Sequence, residues 1–281
     1  MNKNVLYYGD NLDVLRRYIK DETVDLVYLD PPFNSNATYN LLFEEHGEKA
    51  AAQVQAFTDT WEWNTDARQA YEEVVEAGGK VADTMRAFRT MLGASDMLAY
   101  LSMMAPRLIE LRRVLKPTGS LCLHCDPTAS HYLKLLLDAV FGSEHFVNEI
   151  IWHHRTFQGV VRRYFARKHD VLLLYSKGRE YTFNQLYDTP IEETIDGKRW
   201  ASYVNAKRQI MGARMPVQDT RFLRYLRRWE REHGRSPGPD DVVFEVLGQP
   251  IDSVWDLKGL DPKSSERLGY PTQKPWRCLT A

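Results

Sequence analysis

Apolar positions along this chain switch repeatedly between strand and helix periods. Val5 to Tyr8 is a short strand-type run ended by Gly9-Asp10. Asp10 is placed to cap a helix whose apolar face is Leu12, Leu15 and Ile19. Val24 to Leu29 is compact and β-rich, and it stops abruptly at Asp30-Pro31-Pro32. Strand, helix and strand in so short a span open an α/β fold.

Residues 44–94 are polar and Ala-rich, and they read as helix or loop broken at Gly78-Gly79, with Trp61 and Trp63 close together. Ser95 caps a long predicted helix with Leu98, Leu101, Ala105, Leu108, Leu111 and Leu115 on one face and Pro106 as a candidate kink. Lys116-Pro117-Thr118-Gly119 is a stop, and Ser120 to His124 is a buried-type strand. Asp126 as cap and Pro127 at the first helical position introduce a helix over Tyr132 to Phe141. Phe146 to Trp152 and Val171 to Tyr175 predict two more strands. The alternation predicts a doubly wound α/β sheet. Beyond Ser176 the pattern degrades. Residues 177–253 are basic, aromatic and punctuated by Gly and Pro. Arg221 to Glu232 is the one clear helix there, with cations outnumbering any apolar stripe. Arg235 to Pro239 reads as a linker.

Composition narrows the class. The 281 residues are 43% hydrophobic, enough for a sizeable core. No run of about 18 apolar residues is available to span a bilayer, and Met1 to Val5 leads straight into a structured segment without a signal-peptide core. Three cysteines are too few for a disulfide scaffold. A soluble, cytoplasmic protein is expected. The net charge of −1 hides an asymmetry: residues 151–235 carry 18 Lys and Arg against 9 Asp and Glu. That block is either a polyanion-binding surface or a solvated charged face.

The sharpest chemical signal is Asp30-Pro31-Pro32-Phe33, at the C-terminal end of a predicted buried strand, where open α/β sheets bind ligands. The prolines fix φ and remove two N–H donors, leaving a stiff turn rich in acceptors. Asp30 and the Pro31 carbonyl can accept both hydrogens of an amino group, and Phe33 can stack on a planar ring. A Pro-rich turn capped by Asp explains the same residues without chemistry.

The wider pattern resembles the exocyclic-amino DNA methyltransferases, the N6-adenine and N4-cytosine enzymes. Asp30-Pro-Pro-Phe-Asn34 follows Gly9-Asp10 and looks like the catalytic motif of that family. Lys116-Pro-x-Gly119, Asn148 to Trp152, Asp170 to Lys177 and Tyr270-Pro-Thr-Gln-Lys-Pro275 follow in the family's order. A catalytic motif near the N-terminus and T-Q-K-P near the C-terminus is similar to the circularly permuted β-type arrangement. The resemblance covers essentially residues 5–281, apart from the divergent 178–250.

This resemblance implies a Rossmann-like S-adenosylmethionine-dependent methyltransferase sheet with an inserted target-recognition region. The catalytic core would be 1–153 with 170–177 returning to the sheet, the DNA target-recognition region 154–253, and the start of the cofactor segment 254–281. Asp30, Pro31, Pro32 and Phe33 would be catalytic. Asp10, Thr272, Gln273 and Lys274 would line the cofactor pocket, although Asp10 also reads as a plain N-cap and the Thr272 segment as a turn before a helix. Arg155, Arg162, Arg163, Arg167 and Lys168, interleaved with Tyr164 and Phe165, would contact double-stranded DNA. Asp in the first motif position favours adenine within the family. A restriction endonuclease is an implied partner.

C5-cytosine chemistry needs a Pro-Cys nucleophile, and Cys122, Cys125 and Cys278 follow Leu121, His124 and Arg277 instead. Cys122 and Cys125, three apart on a strand, point to opposite faces, and His153-His154 also alternate, so no metal is expected. Members of the family continue past T-Q-K-P into a strand and a Gly-rich loop, whereas none of the 16 glycines here forms G-x-G. The expectation is a chain truncated after T-Q-K-P, with the loop missing or on a separate chain. Three readings follow: an adenine-N6 methyltransferase, a DNA-binding fragment unable to transfer a methyl group, or an N4-cytosine enzyme.

Overall fold

The computed structural model describes residues 4–31, 37–41, 44–45, 48–49, 54–59, 61–153, 162–187, 193–256 and 265. The chain divides into two compact units, Met1–Phe183 with Ser253–Ala281, and Asn184–Asp252.

In the first unit, helix α1 (Asn11–Tyr18) precedes strand β1 (Val24–Leu29). Short strands β2 (Ala37–Leu41), β3 (Glu44–Glu45), β4 (Glu48–Lys49) and β5 (Val54–Asp59) form two small antiparallel pairs, β2 with β5 and β3 with β4. Helices α2 (Thr65–Ala77), α3 (Gly79–Leu92) and α4 (Asp96–Val114) lead into β6 (Leu115–Cys125), α5 (Ser130–Phe141), β7 (Phe146–His153) and β8 (His169–Ser176). In the second unit lie α6 (Ile195–Trp200), β9 (Gln209–Met211), α7 (Thr220–His233) and β10 (Val242–Glu245), before β11 (Val254–Trp255) returns to the first.

The main sheet has the order β1-β6-β8-β7-β11. β1 pairs parallel with β6 and β11 parallel with β7, while β8 is antiparallel to both neighbours. Four strands therefore share one direction and β8 alone is inverted, so the carboxyl ends of four strands and the start of β8 meet on one edge.

Alternation along the strands splits the sheet into two faces. Leu121, Leu123, Cys125, Val171 and Leu173 join residues of α1 to α5 in one core cluster. α4 is its spine: Ser95 Oγ accepts from Leu98 N at 3.3 Å, and the helix runs through Pro106 to Val114. Leu98, Leu101 and Leu108 on it are fully buried, each contributing roughly 2 kcal/mol. Arg113 ties α1 to α4 by donating to the Leu15 carbonyl at 2.8 Å and by pairing with Glu110 at 2.5 Å and with Asp21.

The opposite face carries Ile150, Trp152 and Leu172, packed against Tyr28, Cys122 and Trp255. No helix among the described residues joins that cluster, and Leu26, on the same strand face as Tyr28, is 62% exposed. The expected helical cover on both faces is thus seen on one face only among the described residues.

Other expectations also shift. Val5 to Tyr8 is not a strand: among the described residues β1 pairs with β6 alone, and Leu6 is 96% exposed. Part of 44–94 is strand, because Val54, Phe57 and Thr58 favour extended backbone and β2 is available as a partner. Lys116 to Gly119 is absorbed into β6 as an irregularity, since the pairing jumps from Val24–Leu115 to Leu26–Ser120. Gly119 fits closely there, because an added Cβ would lie 3.0 Å from the Val24 carbonyl oxygen and the backbone would have to give by a few tenths of an ångström. Asp126 caps a turn, accepting from Ala129 N at 3.0 Å, and α5 then starts at Ser130.

The second unit has its own core of Trp200, Ile210, Phe222, Trp229, Val243 and Val246. α7 does carry an apolar stripe: Phe222 and Trp229 are buried, and Tyr225 and Leu226 pack beside them. Its arginines masked an i, i+3, i+4, i+7 pattern. Arg235 to Pro239 is not a linker but a tied turn. Asp241 accepts from Arg235 at 2.5 Å and from Gly238 N at 2.7 Å.

Candidate active site

β1 delivers Asp30 to the carboxyl edge of the sheet. Its side chain is 28% exposed, and Pro31 immediately after it is buried. The proline anchors the turn while the carboxylate stays reachable. Beside it stands His124, the penultimate residue of β6 and fully buried. His124 Nδ1 lies 3.6 Å from Asp30 Oδ1 and 3.1 Å from the Tyr28 hydroxyl. His124 Nε2 lies 3.0 Å from Asp170 Oδ2, at the start of β8. Trp152 of β7 meets the imidazole edge-on, ring centres 5.5 Å apart. One imidazole thus links residues of three strands at one edge.

An ionised carboxylate only accepts hydrogen bonds, so the Asp170 contact places a proton on Nε2. In the neutral ring Nδ1 then accepts from the Tyr28 hydroxyl. Further along the edge, His153 Nδ1 lies 3.2 Å from Asp256 Oδ1. Burial pushes the Cys122 thiol up to about 12, which leaves it a protonated, weakly nucleophilic group on the same sheet face.

Asp10 lies at the head of α1. Its Oδ1 accepts from Leu12 N at 2.7 Å, the N-cap expected of it, and Arg107 of α4 donates to both carboxylate oxygens at 2.8 and 2.6 Å. Arg162, Arg163 and Arg167 are exposed and Lys168 is half-buried, in a segment that runs directly into β8 at the same edge. Tyr164 and Phe165 between them are 64% and 99% exposed. Pro32, Phe33, Arg155, Thr272, Gln273 and Lys274 lie outside the described residues.

Sequence reasoning overlooked His124, Asp170 and Tyr28. His124 was read as the end of the predicted strand Ser120 to His124, and Asp170 as the first residue of the segment Asp170 to Lys177, neither as part of a site. The available signal was a histidine inside a strand predicted to be buried, since a buried ring requires partners on both nitrogens.

On the second unit, α7 segregates its faces. Arg224, Arg227 and Arg231 lie on one stripe opposite Phe222 and Trp229 and, with Glu230, line a shallow hollow. Arg221, Arg228 and Arg235 are paired with Asp196, Glu232 and Asp241. Arg224, Arg227 and Arg231 have no ion pair among the described residues.

The sheet and its acidic carboxyl edge define an α/β protein with a polar site at the strand ends. Residues 24–280 match the DNA methylase family model of the N6/N4 type, and the chain belongs to that family. It is 29% identical over 208 residues to the type III restriction-modification enzyme StyLTI Mod subunit of Salmonella typhimurium LT2, covering 69% of this chain and 28% of that protein. Its identity to the type II methyltransferase M.EcaI of Enterobacter cloacae is 26% over 193 residues, covering 68% and 33%. The chain thus spans a third or less of these relatives' lengths. Among solved structures, a putative DNA modification methylase of Thermus thermophilus complexed with S-adenosyl-L-methionine aligns with a TM-score of 0.37 at 15% identity, over 91% of this chain and 67% of that one.

Proposed function

We propose that this chain is the catalytic part of a cytoplasmic DNA methyltransferase that transfers a methyl group from S-adenosylmethionine to the exocyclic N6 of adenine. The observation that carries this reading is the reachable Asp30 carboxylate, set at the carboxyl edge by buried Pro31 and backed by His124. Family membership supports the reaction class, and Asp at the head of the motif favours adenine over cytosine.

The edge suits the cofactor chemically. Asp30, Asp126, Asp170 and Asp256 all stand at strand ends there, matching a ligand that bears a sulfonium and an ammonium group. Asp10, Thr272, Gln273 and Lys274 are the residues we assign to holding it. When bound, it supplies an electrophilic methyl group. The protein's part is to orient the amine. Asp30 accepts one amine hydrogen and the Pro31 carbonyl the other, so the nitrogen lone pair is no longer spread into the ring and points outward. Phe33 is the residue we assign to stack on the base, and Pro32 the one we assign to stiffen the turn. The base leaves the duplex to reach this edge, at a cost of a few kcal/mol.

Residues 154–253 are assigned to target DNA. Arg155, Arg162, Arg163, Arg167 and Lys168 contact the strand near the site, and the arginine stripe of α7 contacts phosphates elsewhere. Because Mod subunits are among the relatives, a restriction endonuclease is a fitting partner. The test is transfer of labelled methyl from S-adenosylmethionine to DNA by the full chain, with Asp30→Ala as control and nucleoside mass spectrometry to identify the base. Methylated adenine that disappears in Asp30→Ala supports the proposal. Methylated cytosine makes it an N4 enzyme, and DNA binding without transfer makes it a binding fragment.

A further inference from the structure

His124 is fully buried, yet it lies between two carboxylates and a phenol. Its Nε2 is 3.0 Å from Asp170, and its Nδ1 is 3.1 Å from Tyr28 and 3.6 Å from Asp30. An imidazole needed only for packing is cheaper to replace by an apolar ring, because a buried polar group stabilises only when satisfied. Here both nitrogens are engaged, and the ring reaches the residue closest to the chemistry. Its own strand adds the Cys122 and Cys125 thiols, and the face that β7 turns toward it is the uncharged Trp152 ring.

We propose that His124 is a positioning residue behind Asp30 that also receives the proton the amine sheds. This rests on the methyl-transfer reading above. When the amine nitrogen forms its bond to the methyl carbon, the carbon–sulfur bond breaks and its electron pair stays on sulfur. The nitrogen then carries a surplus proton, which passes to the Asp30 carboxylate and on to His124 Nδ1. The positive charge lost from sulfur reappears on an imidazolium held between Asp30 and Asp170. The local charge is therefore unchanged across the reaction, and low-dielectric surroundings reward that constancy. Asp170 fixes the tautomer that leaves Nδ1 free of a proton beforehand. Tyr28 keeps that nitrogen hydrogen-bonded until then.

Two measurements test the role. The first needs no activity: imidazole 15N shifts of His124 in the full chain are followed against pH in wild type, Asp30→Asn and Asp170→Asn. The expected result is a ring whose Nε2 carries the proton facing Asp170, with the Nδ1 resonance displaced in Asp30→Asn and the Nε2 resonance displaced in Asp170→Asn. A ring that stays neutral throughout, or that ignores Asp30→Asn, overturns the proposal. The second is the single-turnover rate of methyl transfer. His124→Asn, which keeps a polar group but cannot carry charge, is expected to lower that rate about 10²-fold with DNA affinity and KM for the cofactor little changed. Its acid limb should shift to lower pH, because a histidine already protonated can no longer accept. Equal losses at every pH, with a fallen melting temperature, would make the residue structural and overturn the proposal. If wild type transfers no methyl group at all, the functional reading fails while the shift titration still decides the geometry of the pair.

Discussion

Arg107 grips Asp10 in a fork, with Nη2 2.8 and 2.6 Å from its two carboxylate oxygens and Nε 2.8 Å from Asn11 Oδ1. Arg107 is only 14% exposed, so the pair joins α1 to the buried α4. Asp10 therefore serves as helix cap and cross-helix tie whatever else it touches. The two duties separate in variants. Asp10→Ala loses both and should cost about 1–2 kcal/mol of stability. Asp10→Ser keeps the cap and should cost distinctly less in a urea titration. If Asp10 also holds the cofactor, calorimetry will show S-adenosylmethionine affinity falling in Asp10→Ser out of proportion to its stability. Unchanged affinity would confine Asp10 to its structural duties.

The cationic stripe of α7 makes a separate prediction. Arg224, Arg227 and Arg231 are spaced so that seven residues of helix cover roughly 10 Å, a span suited to more than one phosphate. Replacing all three with Gln should weaken DNA binding about equally for every sequence. The slope of log K against log salt should become shallower by about 2–3. Lys at the three positions should restore most of that slope. Because Phe222 and Trp229 face the opposite way, the melting temperature should not move. An unchanged salt slope in the Gln variant would assign the stripe to something other than DNA.

What the sequence disclosed and what it hid follow one physical division. Val171 to Tyr175 was legible because a buried strand leaves a contiguous apolar run. Val24 to Leu29 and Phe146 to Trp152 were legible from their β-branched and aromatic residues, although those strands are largely half-buried or exposed. Ser95 was legible because a cap is a local event. Val5 to Tyr8 misled for the same reason: its residues are strand-like, but a strand needs a neighbour, and none pairs with it among the described residues. On α7 the cations on one face outweighed the apolar stripe on the other. Asp30 was legible as chemistry because two prolines beside a carboxylate are conspicuous. His124 was not, because its meaning depends on Asp170 and Tyr28, which are 46 and 96 positions away along the chain.

Gly212 tests whether the Arg235–Pro239 segment is a packed turn. A Cβ at Gly212 would lie 2.0 Å from the Gly238 carbonyl oxygen, a backbone atom that cannot swing aside. Gly212 N also donates to the Asp241 carbonyl at 2.8 Å, which holds the two segments together. Gly212→Ala should destabilise the second unit by about 1–3 kcal/mol. Limited proteolysis should then cut between α7 and β10, where the wild-type chain should resist. Equal resistance in both would mean that the segment behaves as an open linker after all.

Acid should loosen that same turn through Asp241. The Arg235 guanidinium, and after it the Gly238 N–H, hold the Asp241 carboxyl down from the ordinary 3.8 to about 2. In the unfolded chain the group takes up its proton near 3.8, whereas in the folded chain it does so only near 2. The unfolded state therefore binds more protons in that interval, and stability falls as pH drops through it. The contribution is fully present above about pH 4 and gone below about pH 2. Asp241→Asn removes the difference between the two states, so its melting temperature should fall less on acidification from about pH 5 to about pH 2 than that of wild type. The fluorescence of Trp229 reports the event, because its ring lies 5.1 Å from the Arg235 guanidinium. Parallel curves for the two proteins across that range would show that another carboxylate governs acid unfolding. The first to examine would then be Glu232, whose carboxyl is lowered chiefly by its hydrogen bond from Arg228.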